Sequence, residues 1–137
     1  MQIRNLVVLV LGICFIVIGL YFNTRAYTAL TFVSTGLLFI TITFLWKATW
    51  IDRVLTTYAV LLIPFFIVNG ILTGTGLDEP VVWYNDEENL GIRLLTIPIE
   101  DIVYGFELFL LTVFFYEKLN PYLQAIRQPG TPKRNMD

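Results

Sequence analysis

The chain contains four long apolar segments, and this feature limits its possible folds more than any other. We place the segments at residues 6–22, 26–46, 54–77 and 97–116. Each is close to the roughly 20 residues that a helix needs to cross a bilayer. Only helices and closed barrels satisfy the backbone in lipid, and the alternating polarity of barrel strands is absent. We therefore predict an all-α integral membrane protein with about four transmembrane helices in a small bundle.

Composition and charge exclude several functions. Hydrophobic residues make up 56% of the 137 residues, which favours one transmembrane domain over residues 1–117 and a flexible cytoplasmic tail over 118–137. The net charge of −2 gives no attraction to nucleic acid, so we predict no nucleic-acid partner. The sequence has no histidine, the commonest general base and metal ligand. We predict no metal site and no cofactor.

The basic residues predict an orientation. If the N-terminus lies inside, seven of the nine Lys and Arg residues are on the inner side, and Arg25 and Arg93 are outside. This imbalance predicts that both termini are cytoplasmic. The acidic loop between the third and fourth segments then faces outward. We interpret four aromatic residues as anchors at the membrane interfaces: Trp46, Trp50, Trp83 and Tyr84.

The fourth segment contains acids where a spanning helix needs apolar residues. Residues 102–116 rise only about 22 Å, whereas the hydrocarbon core is about 30 Å thick. A spanning helix must therefore begin near residue 97, with Pro98 at its first position. Glu100 and Asp101 then lie at the edge of the apolar layer, and Glu107 lies about 10 Å deeper. Acids inside spans usually mark function, although water at the interface is an alternative setting for Glu100 and Asp101.

Helical spacing predicts which side chains share a face. At 100° per residue, Glu100, Tyr104 and Glu107 lie on one face, and Asp101 points about a quarter turn away. The helix dipole favours ionised carboxylates in the first turn, whereas desolvation favours neutral ones, and the sequence does not decide between them.

The third segment carries a second candidate group. Asn69 lies one turn beyond Phe65 and Phe66. Asn69 either joins two helices by a hydrogen bond or belongs to a site. The acidic cluster at residues 86–88 is typical of a solvated loop.

Four motifs in fixed order resemble a known family. They are "PFFIVNGILTG", "VVWYN", "NLGIR" and "TIPIEDIVYG", and they lie between residues 61 and 117. Together they resemble the membrane lycopene cyclases of the heterodimeric bacterial type, and the related fused archaeal and fungal forms. The acidic Pro-x-Glu-Asp motif of that family falls on Pro98, Glu100 and Asp101. The chain resembles the second of the two homologous halves that complete enzymes contain.

This resemblance implies a function and roles for residues. The implied reaction is the formation of β-ionone rings on lycopene, or on a related acyclic carotenoid, by acid–base cyclisation in a bacterial-type cytoplasmic membrane. Glu100 or Asp101 would donate the proton, and Glu107 or the conjugate carboxylate would act as base or cation stabiliser. The remaining candidates fall into two groups: Phe65, Phe66, Asn69 and Tyr104 would bind substrate, while Asn85, Asn89, Arg93 and Pro98 are motif positions that would orient the acids.

The single acidic motif leaves the assembly and two other functions open. We expect either a homo-oligomer or a heterodimer with a homologous cyclase half. A non-catalytic partner subunit in a carotenoid membrane complex is one alternative. A small proton-coupled transporter is the other, although the first three segments contain no mid-membrane acid.

Overall fold

The computed structural model describes residues 3–127 as a helical bundle with one small hairpin. The elements are α1 (Ile3–Tyr21), α2 (Ala26–Phe44), α3 (Ile51–Leu72), β1 (Arg93–Leu94), β2 (Ile97–Pro98) and α4 (Ile99–Arg127). The predicted all-α class is confirmed. By length and composition, α1, α2 and α3 could each cross a membrane. The membrane crossing of α4, which carries acids in its first three turns, stays a prediction.

α2 is the central helix of the bundle. It packs along α1 on one side and against α4 on the other, while α3 packs mainly against α4. All four helices meet in one apolar cluster, which includes Val8, Phe39, Ile51 and Leu110. This cluster joins the end of α2 to the start of α3. The starts of α2 and α4 lie toward the other end of the bundle, where the long 73–98 loop joins α3 to α4.

The α1–α2 contact depends on glycines. A Cβ atom added to Gly36 would lie 2.6 Å from the carbonyl oxygen of Gly12, and one added to Gly12 would lie 2.6 Å from Cγ1 of Ile40. Both helices are therefore close enough for backbone to meet backbone. Such small-residue contacts are a common way for helices to associate in membranes, because lipid provides little hydrophobic drive between them.

α3 ends earlier than the sequence predicted. The apolar segment was expected to span 54–77, but the helix runs from Ile51 to Leu72. Gly74 and Gly76 have positive φ angles of 108° and 76°, which right-handed helix excludes. The Thr75 amide also turns back to the Gly70 carbonyl at 2.7 Å. These bonds end the helix because they satisfy carbonyls of its last turn.

α4 differs from its predicted bounds at both ends. Pro98 was expected at the first helical position, but it belongs to β2 and pairs with Arg93. The Ile99 amide instead donates to the Ile92 carbonyl at 3.0 Å, so the hairpin closes just before the helix. At the other end, α4 continues through Pro121 to Arg127. The first half of the predicted tail is therefore helical, and residues 128–137 lie outside the described residues.

The remaining predicted bounds need small corrections. The first segment, predicted at 6–22, is helical over Ile3–Tyr21, and the second, predicted at 26–46, ends at Phe44. Lys47, in the link to α3, has a positive φ of 50°, which a continuing right-handed helix excludes. α4, with 29 residues, is about 43 Å long and exceeds the roughly 30 Å hydrocarbon core.

The close contact predicts that Gly36→Ala destabilises the bundle. The new methyl group meets the α1 backbone, so we expect the free energy of unfolding in detergent micelles to fall by about 1–3 kcal/mol. Gly70→Ala is the matched control, because its Cβ would meet Thr75 only at an ordinary 3.5 Å. Equal stability of Gly36→Ala and the native chain would contradict the proposed backbone contact.

Candidate active site

A cavity of about 300 Å³ lies at the start of α4, between α3 and the loop. Asp101 lines it together with aromatic and polar side chains from three other parts of the chain. Gly105 in its wall allows α3 to approach, because a Cβ there would lie 2.9 Å from Tyr58 Oη and 3.1 Å from Phe65. The complete lining is Tyr27, Phe65, Asn69, Tyr84, Asp101, Tyr104, Gly105 and Leu108.

Two tyrosines hold the Asp101 carboxyl in this cavity. The hydroxyl of Tyr27, on α2, donates to Oδ1 at 2.5 Å, and the hydroxyl of Tyr84, in the loop, donates to Oδ2 at 2.5 Å. The two rings are stacked with centroids 6.2 Å apart. Asp101 is only 6% exposed, and both of its oxygens have protein partners.

Glu100 points away from the cavity into the interface with α2. Its side chain is 0% exposed. Oε1 accepts from the Thr28 hydroxyl at 2.6 Å and from the Leu90 amide at 2.7 Å. Oε2 is buried and has no hydrogen-bond partner within the described residues 3–127. Glu100 and Asp101, adjacent in sequence, thus occupy two different surroundings.

Glu107 lies two turns further along the α2-facing side of α4. Its Oε2 accepts from the Ser34 hydroxyl at 2.9 Å and the Thr35 hydroxyl at 3.1 Å. The predicted shared face of Glu100 and Glu107 is present, since both contact α2. Tyr104, predicted on that face, lines the Asp101 cavity instead and is 44% exposed.

The loop between α3 and α4 caps α2. The Glu88 carbonyl accepts from the amides of Tyr27 at 3.0 Å and Thr28 at 3.3 Å, and its carboxylate accepts from Ala26 at 3.2 Å. Arg25 donates to the carbonyls of this loop on either side of Glu88. The free amides at the start of a helix need such acceptors, so the loop and α2 fix each other.

Asn89 and Arg93, both predicted to orient the acids, stabilise the loop. Asn89 is buried, and its Oδ1 accepts from the Gly91 amide at 2.6 Å. Arg93 donates to Asp86 Oδ1 at 2.5 Å, and its guanidinium lies 5.8 Å from the Tyr84 ring centroid. Arg93 is linked to Asp101 through the Tyr84 ring that it contacts.

Two ionisable groups of this loop, Asp86 and Tyr84, have shifted pKa values. Hydrogen bonds from Arg93 and then Asn89 hold the pKa of Asp86 below its ordinary value of 3.8. Burial, followed by the hydrogen bond to Asp101, raises the pKa of Tyr84 well above its ordinary value of 10.0.

The other predicted residues divide between the cavity and its surroundings. Phe65 and Asn69 line the cavity. Phe66 packs edge-on against Phe65 at 5.8 Å and is not part of the lining. Asn85 is exposed, and its side-chain oxygen accepts the Glu87 amide at 3.1 Å. Pro98 is buried in the hairpin before α4.

The residues that sequence reasoning missed come from α2 and the loop. Thr28, Thr31 and Thr35 are buried and recur at helical spacing in an otherwise apolar helix. That polar stripe was visible in the sequence and could have indicated a partner for the acids. Tyr84 was interpreted as an interface anchor, but it contacts Asp101. Only the folded loop reveals that contact.

Among residues 3–127, no group of three or more His, Cys, Asp or Glu side chains is arranged to hold a metal ion. The cavity lining offers one carboxyl, three phenols, an amide and apolar side chains as its chemical groups.

Comparison with known proteins identifies one family. The family model described as lycopene cyclase matches residues 24–119, which begin before α2 and include the whole cavity lining. No curated protein and no solved structure matches. The match extends the resemblance toward the N-terminus, across Tyr27 and Thr28.

The ion pair in the loop predicts a pH effect. Because the pKa of Asp86 is lowered, its contribution to stability is complete above pH 3.8 and is lost as the pH falls through the lowered pKa. Arg93→Gln should raise the pKa of Asp86 toward its ordinary value. Carboxyl NMR titration in micelles measures this change, with Arg53→Gln at a distant exposed site as control. Identical Asp86 titrations in the native and Arg93→Gln proteins would contradict the ion pair.

Proposed function

Because the chain belongs to the lycopene cyclase family, we propose that it forms β-ionone rings on lycopene or a related acyclic carotenoid. The coarser role in carotenoid cyclisation follows from the family. The observation that carries the finer proposal is Asp101, a nearly buried acid that faces a cavity lined by aromatic rings. Such a cyclisation needs an acid, a base and a pocket that excludes water.

The position of the cavity suits a hydrocarbon substrate. Lycopene partitions into the bilayer, so a site between helices meets it directly. On α3, next to the cavity residues Phe65 and Asn69, the side chains of Ile67 and Val68 are exposed and apolar. Leu108 on α4 both lines the cavity and is exposed. These apolar surfaces support entry of a carotenoid end from the lipid.

The proposed reaction conserves protons. A carboxyl protonates the terminal double bond of lycopene, and an internal double bond attacks the resulting cation and closes the ring. A carboxylate then removes a proton from the ring, so no oxidant or reductant is consumed. The faces of Phe65 and Tyr104 support the cationic intermediate, because aromatic faces attract cations.

The two neighbouring acids are proposed to have different tasks. Asp101 touches the substrate, because it lines the cavity. Glu100 holds a proton behind it. Its Oε2 is buried with no hydrogen-bond partner among residues 3–127, so this oxygen is available to carry the proton. Glu107 contacts Ser34 and Thr35 outside the cavity lining, so the geometry favours Asp101 over Glu107 as the base.

The resemblance to a second half supports a further part of the proposal. We propose that the chain works with a homologous half or with a second copy of itself. Expression alone and together with a homologous first half separates these assemblies. Ring formation by the chain alone would exclude an obligatory heterodimer. Ring formation only on co-expression would exclude an enzyme made of this chain alone.

The proposed roles predict the effect of two isosteric substitutions. Asp101→Asn should lower ring formation by roughly a hundredfold or more, because a positioned acid or base contributes about that much. Glu100→Gln keeps an oxygen that accepts from Thr28 and Leu90 but cannot release a proton, so ring formation should also be lost. Pigment analysis in a lycopene-accumulating bacterial host measures ring formation by both variants. Each variant is expressed alone or with a homologous half, whichever arrangement is active for the native chain.

Glu87→Gln is the matched control for these variants, because Glu87 is an exposed acid in the neighbouring loop between α3 and α4. Its ring formation and membrane level should equal those of the native chain. Cyclisation by Asp101→Asn would exclude Asp101 from the reaction, and cyclisation by Glu100→Gln would exclude Glu100. Persistence of lycopene with every native assembly would contradict the cyclase proposal itself.

A further inference from the structure

The Asp101 carboxyl is bound by two phenols that come from different parts of the chain. Tyr27 belongs to the first turn of α2, and Tyr84 belongs to the loop before β1. Each phenol contacts a different carboxyl oxygen, at the same distance of 2.5 Å. None of the sequence motifs that predicted the acids assigned either tyrosine to the site.

This arrangement fixes the direction of the carboxyl group. A carboxyl with one donor can rotate about its last side-chain bond, whereas two donors on opposite oxygens define one plane. Proton transfer to carbon needs a reacting atom within about half an ångström of its productive position. The phenols therefore restrict rotation of the Asp101 carboxyl about its last side-chain bond, and this rotation decides how its oxygens face the cavity.

We propose that Tyr27 and Tyr84 are positioning residues that hold the Asp101 carboxyl in its reactive orientation. This inference rests on the proposed cyclase function, because it concerns the same site. It assigns a task to the loop between α3 and α4 as well, because Tyr84 contacts Asp101 from this loop while the loop is docked on α2.

The contacts around Tyr84 support this task. Arg93 lies over its ring at 5.8 Å and binds Asp86 at 2.5 Å, so the ring contacts a residue that is itself fixed. Tyr27 is held by its backbone, because its amide donates to Glu88 in the same loop. The raised pKa of Tyr84 agrees with a phenol that donates to a buried carboxylate.

The kinetic test uses three tyrosine-to-phenylalanine variants. Tyr27→Phe and Tyr84→Phe should each lower kcat by roughly tenfold to a hundredfold, the factor expected for one hydrogen bond to a charged group. KM for lycopene in vesicles should stay unchanged, because the rings remain. Tyr58→Phe is the matched control: it removes a phenol that donates to α4 at the same 2.5 Å, but to the Ile102 carbonyl.

The kinetic outcomes separate positioning from a purely structural role. Equal losses in Tyr58→Phe and Tyr84→Phe would overturn the inference, because loss of any phenol on α4 would then suffice. A rise in KM with unchanged kcat would also overturn it, since the phenols would then act by binding substrate. A fall in kcat confined to Tyr27→Phe and Tyr84→Phe supports it.

A second readout does not depend on cyclisation. The difference between the alkaline ultraviolet titrations of the native and Tyr84→Phe proteins isolates Tyr84. We expect Tyr84 to ionise well above pH 10.0, and Asp101→Asn to lower that pH by removing the charged acceptor. If Tyr84 titrates near its ordinary pH and this pH is unchanged in Asp101→Asn, the proposed hold of Tyr84 on the Asp101 carboxyl is overturned. If the Tyr84 titration shows the expected shift but the native chain forms no rings, alone or with a homologous half, only the cyclase proposal is contradicted.

Discussion

The carboxyls of α4 need hydrogen-bond donors inside an apolar bundle, and the packing of α2 against α4 supplies most of them. Thr28 contacts Glu100, Tyr27 contacts Asp101, and the pair Ser34 and Thr35 contacts Glu107. A buried polar group without a partner costs free energy, and the lipid core offers no hydrogen bonds that offset this cost. The rotation of α4 about its own axis is therefore set by its acids, because only one face of α2 offers hydroxyl groups at matching heights.

The loop between α3 and α4 supplies the remaining donors. It caps the first turn of α2 through Glu88, and it also reaches both acids, through the Leu90 amide and the Tyr84 hydroxyl. The start of α2, the start of α4 and the loop are thus one connected unit. The apolar cluster that includes residues of all four helices lies mainly toward the other end of the bundle. Tyr58, which packs against that cluster, connects it to the first turn of α4 by donating to the Ile102 carbonyl.

Much of this organisation was predictable. The helices follow from segment length, because a backbone in lipid has few alternatives to the helix. The acids were identified as candidates because charge is costly in an apolar segment. The ends of the helices were harder to predict from the sequence. Gly74 and Gly76 ended α3 five residues before the apolar pattern did, and the Arg93–Pro98 pairing moved the start of α4 beyond Pro98. Turn geometry and strand pairing depend on contacts that hydropathy does not record.

The sequence by itself determined the helical class, the family resemblance and the identity of the three acids, because each is encoded in residue type and local order. Only the tertiary structure decided their surroundings. Glu100 and Asp101 are neighbours in the chain, yet one is buried against Thr28 and the other lines a cavity between two phenols. Adjacent side chains on a helix point about 100° apart, so they face different neighbours. Those neighbours lie about 70 residues away on α2, or in a loop whose path the sequence pattern leaves undefined.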